Sequence, residues 1–553
     1  TMNCKNFIID KKENQFFFPK GRYDFYPSDC TQKYCYFCNN DEGVKLIAFD
    51  LSNLENAEII GDQAEFWFHG RISPLIAFRC RHLKIQGISI NFEDSFVSDA
   101  NFIKQEDGYA WFQLTGKYWC EKKRLRFTDD FYDNLSNTLR FYAYDISKKE
   151  LDTSRKVILV PNQGIIERDN CIGIPDVFGN TPCNAYVIKH EERLCPGLVF
   201  DQCENVTIKD VQIHHCAGMG LLAQNSENIR LDHVHVTSAG RRIAASDDAV
   251  HFVECRGDLR IQNCDLADTL DDSINVHGIY RPLRQRTIGG SFYYLDTGHF
   301  QQLGLPGARK DDTLILIKND TNKPYYQAKL TNATLVNKAM TAVEFEKPLP
   351  KEFTPGDCAM VKAVSEATLI VQNCKLKSLL GRGVLASGLA SVEIRDNYIH
   401  TPGAGVFISG GADFWYETGP VKSILVENNI FDNCNYGTFV ATREPLSIFP
   451  ELQKFTDNFY YYDKIIVQRN HFKSSLRPLI SAQSVNEFIC LNNSFELDHH
   501  YPFNHSGYTG YYFTDATSGA IATKHCKNTE FSNNIGFVDK NIGLKKTKSS
   551  DKK

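Results

Sequence analysis

The feature of this sequence that most restricts its fold is a repeat of 23 residues. The segment VTIKDVQI begins at Val206 and its counterpart IRLDHVHV begins at Ile229, and the same interval separates the equivalent positions Ile465 and Phe488. Apolar and polar residues alternate within these segments, as in a β-strand with one buried face. A repeat of this length is typical of solenoids, in which successive units stack around a continuous core. We therefore predict an all-β parallel β-helix, with residues one repeat apart on neighbouring strands about 4.8 Å apart.

The repeat is interrupted twice, and the interruptions divide the chain. Aromatic, alternating segments replace it in two blocks, which we interpret as antiparallel β-barrel-like insertions. We expect both insertions to leave the solenoid from the same end region. The predicted organisation is an N-terminal segment with the first coils (1–92), a first insertion (93–195), the coils of the candidate site (196–280), a second insertion (281–362), the C-terminal coils (363–543) and a disordered tail rich in Lys and Ser (544–553).

Composition excludes several classes of protein. The 553 residues carry a net charge of −5, which provides no basic surface for nucleic acid. Hydrophobic residues make up 42% of the chain, as in globular proteins. The sequence contains no apolar run near the roughly 20 residues of a membrane span, and its first residues lack the apolar core of a signal peptide. We therefore expect neither a nucleic-acid partner nor a membrane span.

Cysteine is frequent, with 18 residues, and four of them directly follow Gln or Asn at the end of a strand segment. These four are Cys203, Cys264, Cys374 and Cys434. A small apolar residue at a repeated position is best interpreted as part of the stack inside the coil, with disulfide bonds as the alternative. A separate group of Cys30, Cys35 and Cys38, together with Cys4, is a weaker candidate for a zinc site.

Two Asp-Asp pairs, Asp247-Asp248 and Asp271-Asp272, stand about one repeat apart beside small residues. Stacked coils would bring their carboxylates into one patch, where like charges raise the pKa of at least one group and keep it protonated near neutral pH. A protonated carboxyl beside ionised ones is the equipment of glycoside hydrolysis. The alternatives are an Asp ladder that caps backbone amides in a turn and the calcium site of a lyase.

Strand alternation adds a condition to the hydrolase interpretation. If Asp271 and Asp272 both lay within a strand, one of them would face the core, so a turn or bulge must direct both outward. Most of the nearby histidines are interpreted as structural. His277 is the exception, because it follows the second Asp pair by one short strand and would share its face.

The motifs DAVHFVECRG, DDSINVHG and GGADFWYETGPV make the sequence resemble the exo-acting α-1,3-galactosidases of glycoside hydrolase family 110. These bacterial enzymes are associated with blood-group B and linear Galα1,3Gal structures. The resemblance extends from about Val44 to about Asn493. It implies a right-handed parallel β-helix with β-barrel insertions, an inverting mechanism, no metal or other cofactor in catalysis, and export from the cell.

The resemblance also implies roles for individual residues. It places the catalytic aspartates at Asp248, Asp271 and Asp272. By similarity to the polygalacturonases, Asp271 is the general acid, and Asp248 with Asp272 is the pair that activates water. Asp247 is interpreted as a turn cap. The candidates for sugar binding are Asn275, His277, Arg382, Trp415 and Glu417, of which Trp415 would stack on the apolar face of galactose.

The expected function is the removal of terminal α-1,3-linked galactose from blood-group B glycans by a secreted, periplasmic or cell-surface enzyme, with linear Galα1,3Gal left open as a second substrate. A non-catalytic carbohydrate-binding β-helix and a polygalacturonase-like, pectin-acting enzyme remain as alternatives. A cluster of three acids favours an enzyme, because binding alone rarely requires charges that repel each other. The expected partner is a glycan with a terminal α-galactose, and a homodimer is also allowed.

Overall fold

The computed structural model describes residues 8–10, 14–40, 42–127, 138–179, 182–190, 193, 195–286, 292–437, 444–475, 478–501 and 520–536. In this part of the chain nearly all regular structure is β, apart from the 3-10 turn Pro27–Asp29 and the short α-helix Lys362–Ser365. No helix among these residues is long and apolar enough to cross a membrane. The predicted tail and Cys4 of the predicted zinc cluster lie outside the described residues.

The body of the molecule is a parallel β-helix. Val206 of one coil pairs in parallel with Ile229 of the next, and Ile229 pairs with Leu259 of the coil after that. All three side chains are buried in one core that extends through the coils. The predicted all-β fold of stacked coils is therefore confirmed.

Three columns of parallel strands form the walls of the β-helix. The first column contains Gly43–Ser52, Ile72–Phe78, Leu198–Asp201, Leu221–Gln224, Val250–Val253, Ile274–His277, Val384–Ala386, Val406–Ile408, Leu446–Ile448, Ile480–Leu491 and Ile521–Ser532. The second contains Gln15–Phe18, Glu58–Phe68, Arg81–Phe92, Glu204–Ile213, Glu227–Val236, Arg256–Gln262, Thr368–Gln372, Ser391–Arg395, Ser423–Glu427 and Tyr462–Gln468.

The third column begins with Gly21–Phe25 and continues through the later halves of the long second-column strands. Its own short strands are Asp265–Ala267, Lys375–Lys377, Tyr398–Ile399, Ile430–Asp432, His471–Ser474, Ser494–Leu497 and Ile535–Gly536. Two antiparallel strands, Ile8–Asp10 and Thr31–Cys35, pair with the first coils.

Side chains at repeated positions stabilise the stack from within. The four repeated cysteines are buried in the common core as free thiols, as predicted. In the later coils a ladder of asparagines joins successive turns, because each side-chain oxygen accepts hydrogen bonds from the asparagine of the preceding coil. Its members are Asn397, Asn429, Asn470, Asn493 and Asn534.

The first insertion is an antiparallel sheet with its own hydrophobic core. Its strands are Val97–Glu106, Tyr109–Leu114, Thr138–Asp145, Glu150–Leu151, Ile158–Pro161, Ile166–Arg168, Cys171–Pro175 and Ala185–Lys189. The same insertion contains a separate two-stranded hairpin of Tyr118–Glu121 and Arg124–Phe127. The second insertion is a closed six-stranded barrel, with its strands at Arg281–Arg286, Phe292–Asp296, Thr313–Lys318, Lys323–Asn337, Met340–Phe345 and Cys358–Val361.

The two insertions flank the first column at opposite ends of its strands. The first insertion precedes Leu198–Asp201, and its Lys189 contacts Ser246 just before Val250–Val253. The barrel begins after Ile274–His277, and its Arg281 contacts Glu254 just after Val250–Val253. The expectation that both insertions leave from the same end region is therefore wrong. This placement encloses the outer face of the first column between two added domains.

Candidate active site

The aspartate pairs lie in bends that immediately precede two neighbouring strands of the first column. Ala245 bridges to Thr269, and Val250 pairs with Ile274, so this coil contains 24 residues and not 23. Asp272, and not Asp271, is therefore the register partner of Asp248. Because the acids precede the strands, strand alternation does not force either member of a pair into the core.

Three carboxyl groups converge at this corner. One carboxyl oxygen of each of Asp248, Asp271 and Asp272 lies within 4.8 Å of those of the other two. The backbone N–H of Asp272 donates to Asp248 Oδ1 at 2.9 Å, which fixes the two coils relative to each other. Asp248 and Asp272 are buried, whereas the side chain of Asp271 is 37% exposed. Asp271 is therefore the member of the cluster that a ligand can reach most easily.

Burial and mutual repulsion favour the neutral form of these groups. Burial, followed by the charges of Asp271 and Asp272, raises the pKa of Asp248 well above its ordinary value. Burial and the charge of Asp272 raise the pKa of Asp271 to about 6. Burial also raises the pKa of Asp272, but Arg382 opposes that rise. The corner thus holds carboxyl groups with different tendencies to keep a proton.

Three cations surround the cluster. Arg382 donates to Asp272 Oδ1 through its backbone N–H at 2.6 Å and to Oδ2 through Nη1 at 3.0 Å. Lys189 Nζ and Arg193 Nε donate to Asp247 Oδ1 at 2.9 and 3.0 Å. Arg193 Nη2 also lies 3.3 Å from Asp271 Oδ2. Although burial opposes ionisation, Lys189 and Arg193 hold the pKa of Asp247 below its ordinary value, so Asp247 is the anion that anchors two cations.

A chain of buried rings lies behind Asp248. His251 Nδ1 is 2.6 Å from Asp248 Oδ2, and His251 Nε2 is 3.3 Å from His277 Nε2. His277 Nδ1 lies 2.9 Å from the carbonyl oxygen of Gly278, which can only accept, so this nitrogen carries the hydrogen and Nε2 accepts. His251 therefore donates from Nε2 and accepts at Nδ1, and Asp248 supplies the proton between them. Burial agrees with this assignment, because it lowers the pKa of His251 well below its ordinary value.

Cys38, from the predicted zinc cluster, packs against the same rings. Its Sγ lies 3.9 Å from His251 Nε2, and burial raises the pKa of this thiol, which keeps its proton. Beside the carboxylates, positive charge is supplied by Arg193 and Arg382. The chemistry that this corner can carry out with its own residues is proton transfer to and from a bound molecule.

Comparison with known proteins identifies relatives along nearly the whole chain. A family model described as GLAA-B β-barrel domain II matches residues 295–359, within the closed barrel. Alpha-1,3-galactosidase B of Bacteroides thetaiotaomicron is 27% identical over 97% of this chain and 88% of its own. Alpha-1,3-galactosidase A of Shewanella woodyi is 25% identical over 89% of this chain and 82% of its own. The predicted resemblance to the α-1,3-galactosidase family is confirmed.

Similarity to solved structures is lower. The alignment with an exopolygalacturonase of Thermotoga maritima covers 94% of this chain and 83% of the exopolygalacturonase, at 10% identity and a TM-score of 0.33. The Streptococcus pneumoniae surface adhesin PfbA covers 94% of this chain with 88% of its own, at the same identity and TM-score.

The predicted sugar-binding residues have different surroundings. Asn275 lies beside His251 in the first column, and its buried Oδ1 has no hydrogen-bond partner among the described residues. Both ring nitrogens of His277 are engaged, and Arg382 is bound to Asp272. Glu417 bridges to Ile279, beyond the end of the strand Ile274–His277, and its charge raises the pKa of Asp272. Trp415 is partly exposed and contacts other aromatic rings.

Sequence reasoning missed two residues of the site and misjudged a third. Lys189 and Arg193 come from the first insertion, 58 and 54 residues before Asp247, and no local pattern links them to the acids. His251 is structural in the sense predicted, but its partner is Asp248 itself. The three-residue interval between Asp248 and His251 was the available signal.

Gly381 allows the next coil to approach the acids closely. A Cβ at this position would lie 2.4 Å from the carbonyl carbon of Asp271 and 2.6 Å from Asp272 Oδ1. We expect Gly381→Ala to displace Asp272 and to lower kcat by about 10²-fold, the order found when a reacting group moves by about 1 Å. Steady-state kinetics with circular dichroism tests this. Wild-type turnover in a folded variant would contradict the close approach.

Proposed function

We propose that this protein is an exo-acting, inverting α-1,3-galactosidase that removes terminal galactose from blood-group B and linear Galα1,3Gal glycans. The observation that carries the proposal is the convergence of Asp248, Asp271 and Asp272 within 4.8 Å, in a chain similar to α-1,3-galactosidases over nearly its whole length. The carboxyl groups differ in their partners, and these partners suggest a separate role for each.

Asp271 is the general acid. Its pKa of about 6 lets it keep a proton in mildly acidic solution, and its partly exposed side chain can reach a glycosidic oxygen. Arg193, 3.3 Å from Asp271 Oδ2, orients the carboxyl group and stabilises the carboxylate that remains after proton transfer.

Asp272 and Asp248 form the water-activating pair. Asp272 accepts hydrogen bonds from Arg382 on both oxygens, which favours the carboxylate that a general base requires. Asp248 holds its proton toward His251 and accepts from the backbone N–H of Asp272, so it positions the base, and Asp272 takes the proton from water. Asn275 Oδ1 is the acceptor for a galactose hydroxyl.

The spacing of the acids alone would favour retention of configuration. Inverting enzymes typically separate acid and base by roughly 6.5 to 9.5 Å and retaining enzymes by about 5 Å, whereas here the nearest oxygens lie within 4.8 Å. Inversion is proposed here because the resemblance to the family implies it. Asp272, whose two oxygens accept hydrogen bonds from Arg382, keeps a lone pair on each oxygen with which to take a proton from water.

The charge of the site favours a neutral sugar over pectin. Lys189, Arg193 and Arg382 are each paired with an aspartate, so none of these three cations is left to bind a uronate. Glu417 adds a further negative charge near Asp272. A purely carbohydrate-binding protein is also disfavoured, since it would gain nothing from burying acids that repel each other.

The location and partners follow from the substrate. Blood-group glycans lie outside cells, and we therefore propose that the enzyme is secreted, periplasmic or on the cell surface. The homodimer remains a prediction, as does the expectation that the protein has no nucleic-acid partner.

The proposal is tested with a panel of substrates. Linear Galα1,3Gal, the branched B trisaccharide, α-1,4- and α-1,6-linked digalactosides and polygalacturonate are each incubated with wild type and Asp271→Asn, and released sugar is quantified. We expect release of galactose from α-1,3-linked substrates by wild type alone. Cleavage of polygalacturonate, or binding of galactosides with no release at any pH, would overturn the proposed function.

The rate should fall as the pH rises through about 6. Asp271 must be protonated to act as the acid, and its pKa of about 6 means that this form is lost above that value. The measurement is kcat/KM for Galα1,3Gal between pH 4 and 9. A dinitrophenyl α-galactoside, whose leaving group needs no proton, serves as the control and should lose much less activity. The same alkaline decline on both substrates would contradict the assignment of Asp271.

A further inference from the structure

Three exposed aromatic side chains meet between the barrel and a loop of the β-helix. Phe300, Phe414 and Trp415 are 49%, 65% and 43% exposed. Their ring centroids are separated by 4.9 Å (Phe414 and Trp415), 5.8 Å (Phe300 and Trp415) and 6.4 Å (Phe300 and Phe414). We call these three residues the aromatic patch. Contiguous exposed aromatic surface is unfavourable in water and typically marks a binding site.

The aromatic patch combines two parts of the chain. Phe300 follows the barrel strand Phe292–Asp296, within the segment that matches the β-barrel family model. Phe414 and Trp415 lie in the β-helix loop between Val406–Ile408 and Ser423–Glu427. His299 contacts both Phe300 and Phe414, at centroid distances of 4.4 and 5.8 Å, and so joins the two parts. The barrel is thereby joined to this loop of the β-helix.

The loop that carries Phe414 and Trp415 is anchored at the end of the strand Ile274–His277. The backbone N–H of Tyr280 donates to the carbonyl of Tyr416 at 2.7 Å, and the N–H of Thr418 donates to the carbonyl of Gly278 at 3.1 Å. Gly278 directly follows the strand Ile274–His277, whose first residue is two positions after Asp272. The loop is therefore anchored at the opposite end of this four-residue strand from Asp272, about 13 Å along the strand from the acids.

Acidic groups lie in and next to the loop that carries Phe414 and Trp415. The negative charge of Glu417, two residues after Trp415, raises the pKa of Asp272. Asp413 contacts Glu451, and burial together with this contact raises the pKa of Glu451 to about 9, so the pair contains one proton donor and several acceptors. Aromatic faces beside hydroxyl-binding carboxyl groups match a sugar, which presents C–H faces and hydroxyls together.

We propose that the aromatic patch binds the sugars that follow the terminal galactose, so that the barrel helps to select the glycan. The inference rests on the proposed function, because an exo-acting enzyme holds the terminal sugar at the acids and leaves the rest of the glycan at the rim. A free monosaccharide would not reach the patch. The patch should therefore strengthen binding of oligosaccharides without changing the chemical step.

The test compares variants on substrates with and without further sugars. Phe300→Ala, Phe414→Ala and the double variant are assayed on a Galα1,3Gal-terminated tetrasaccharide and on α-galactosyl fluoride, which carries no sugar beyond galactose. For the double variant we expect KM for the tetrasaccharide to rise by about tenfold or more, with kcat and the rate on the fluoride unchanged. Phe292→Ala is the matched control, because Phe292 is a 39% exposed phenylalanine of the same barrel that stacks on Tyr294.

A binding measurement separates this proposal from the proposed function. Isothermal titration calorimetry of the tetrasaccharide with Asp271→Asn, alone and combined with the double variant, should show a loss of affinity of about tenfold or more with the patch removed. That loss would support the patch even if wild type cleaved no galactoside. Unchanged tetrasaccharide affinity, equal losses on both substrates, or a change from dimer to monomer in light scattering would overturn the proposal.

Discussion

Replacing Asp271 with Asn is expected to lower kcat on Galα1,3Gal by roughly 10² to 10⁴, the usual contribution of a general acid. Asparagine keeps the shape of the side chain but cannot deliver a proton to the glycosidic oxygen. Arg193 loses only one of its two carboxylate partners and stays bound to Asp247, so the fold should persist. Stopped assays of released galactose measure the change.

Two comparisons make this prediction specific to proton donation. Asp271→Asn should recover most of its activity on a dinitrophenyl α-galactoside, whose leaving group departs without a proton. Asp265→Asn changes a partly exposed acid of the same coil that pairs with Lys375 on the surface, and it should retain wild-type turnover. An Asp271→Asn variant that lost activity equally on both substrates would argue against the general-acid role. Asp248→Asn and Asp272→Asn should lower kcat by a similar factor, and their activity should not recover on the dinitrophenyl α-galactoside.

Replacing Asp247 with Asn is expected to destabilise the protein by about 3–5 kcal/mol, the cost of removing one partner from a buried ion pair. Asp247 is buried, and its carboxylate is the shared partner of Lys189 and Arg193. Without it, Lys189 keeps its ammonium group buried with a carbonyl partner alone. The first insertion would lose two of its charged contacts with the β-helix, so the free energy of unfolding should fall.

Chemical denaturation followed by fluorescence measures that loss. Asp258→Asn provides the control, since Asp258 pairs with Arg260 and Arg230 on the surface and should contribute about 1 kcal/mol or less. Turnover of folded Asp247→Asn should fall much less than that of Asp271→Asn, because Asp247 transfers no proton. An Asp247→Asn variant as stable as wild type would show that the buried cations find other partners.

The stacking of coils could be predicted because it repeats. Val206 and Ile229 pair at the 23-residue interval found in the sequence, and alternation correctly assigns their side chains to the core. The exact length of one coil could not be predicted in this way. The bend before Ile274 makes its coil one residue longer, and bends carry no periodic signal. Counting by 23 therefore aligned Asp248 with Asp271 when its neighbour is Asp272.

The partners of the acids depend on tertiary structure. Arg193 lies in the first insertion and Phe300 in the barrel, and the positions of both relative to the acids depend on how the insertions dock on the first column. Trp415 can be identified from the sequence because it lies within the motif GGADFWYETGPV. No motif links Trp415 to Phe300, which is more than a hundred residues earlier in the chain. Sequence patterns thus predicted the acids themselves better than the groups that control their protons.

The most direct test of the central claim is the configuration of the first product. Proton NMR of the anomeric signals, recorded within the first minutes of Galα1,3Gal hydrolysis, distinguishes β-galactose from α-galactose before mutarotation mixes them. If Asp272 activates water while Asp271 protonates the leaving oxygen, β-galactose forms first and α-galactose accumulates slowly afterwards. Initial release of α-galactose, or a covalent glycosyl adduct on Asp248 or Asp272, would contradict the account.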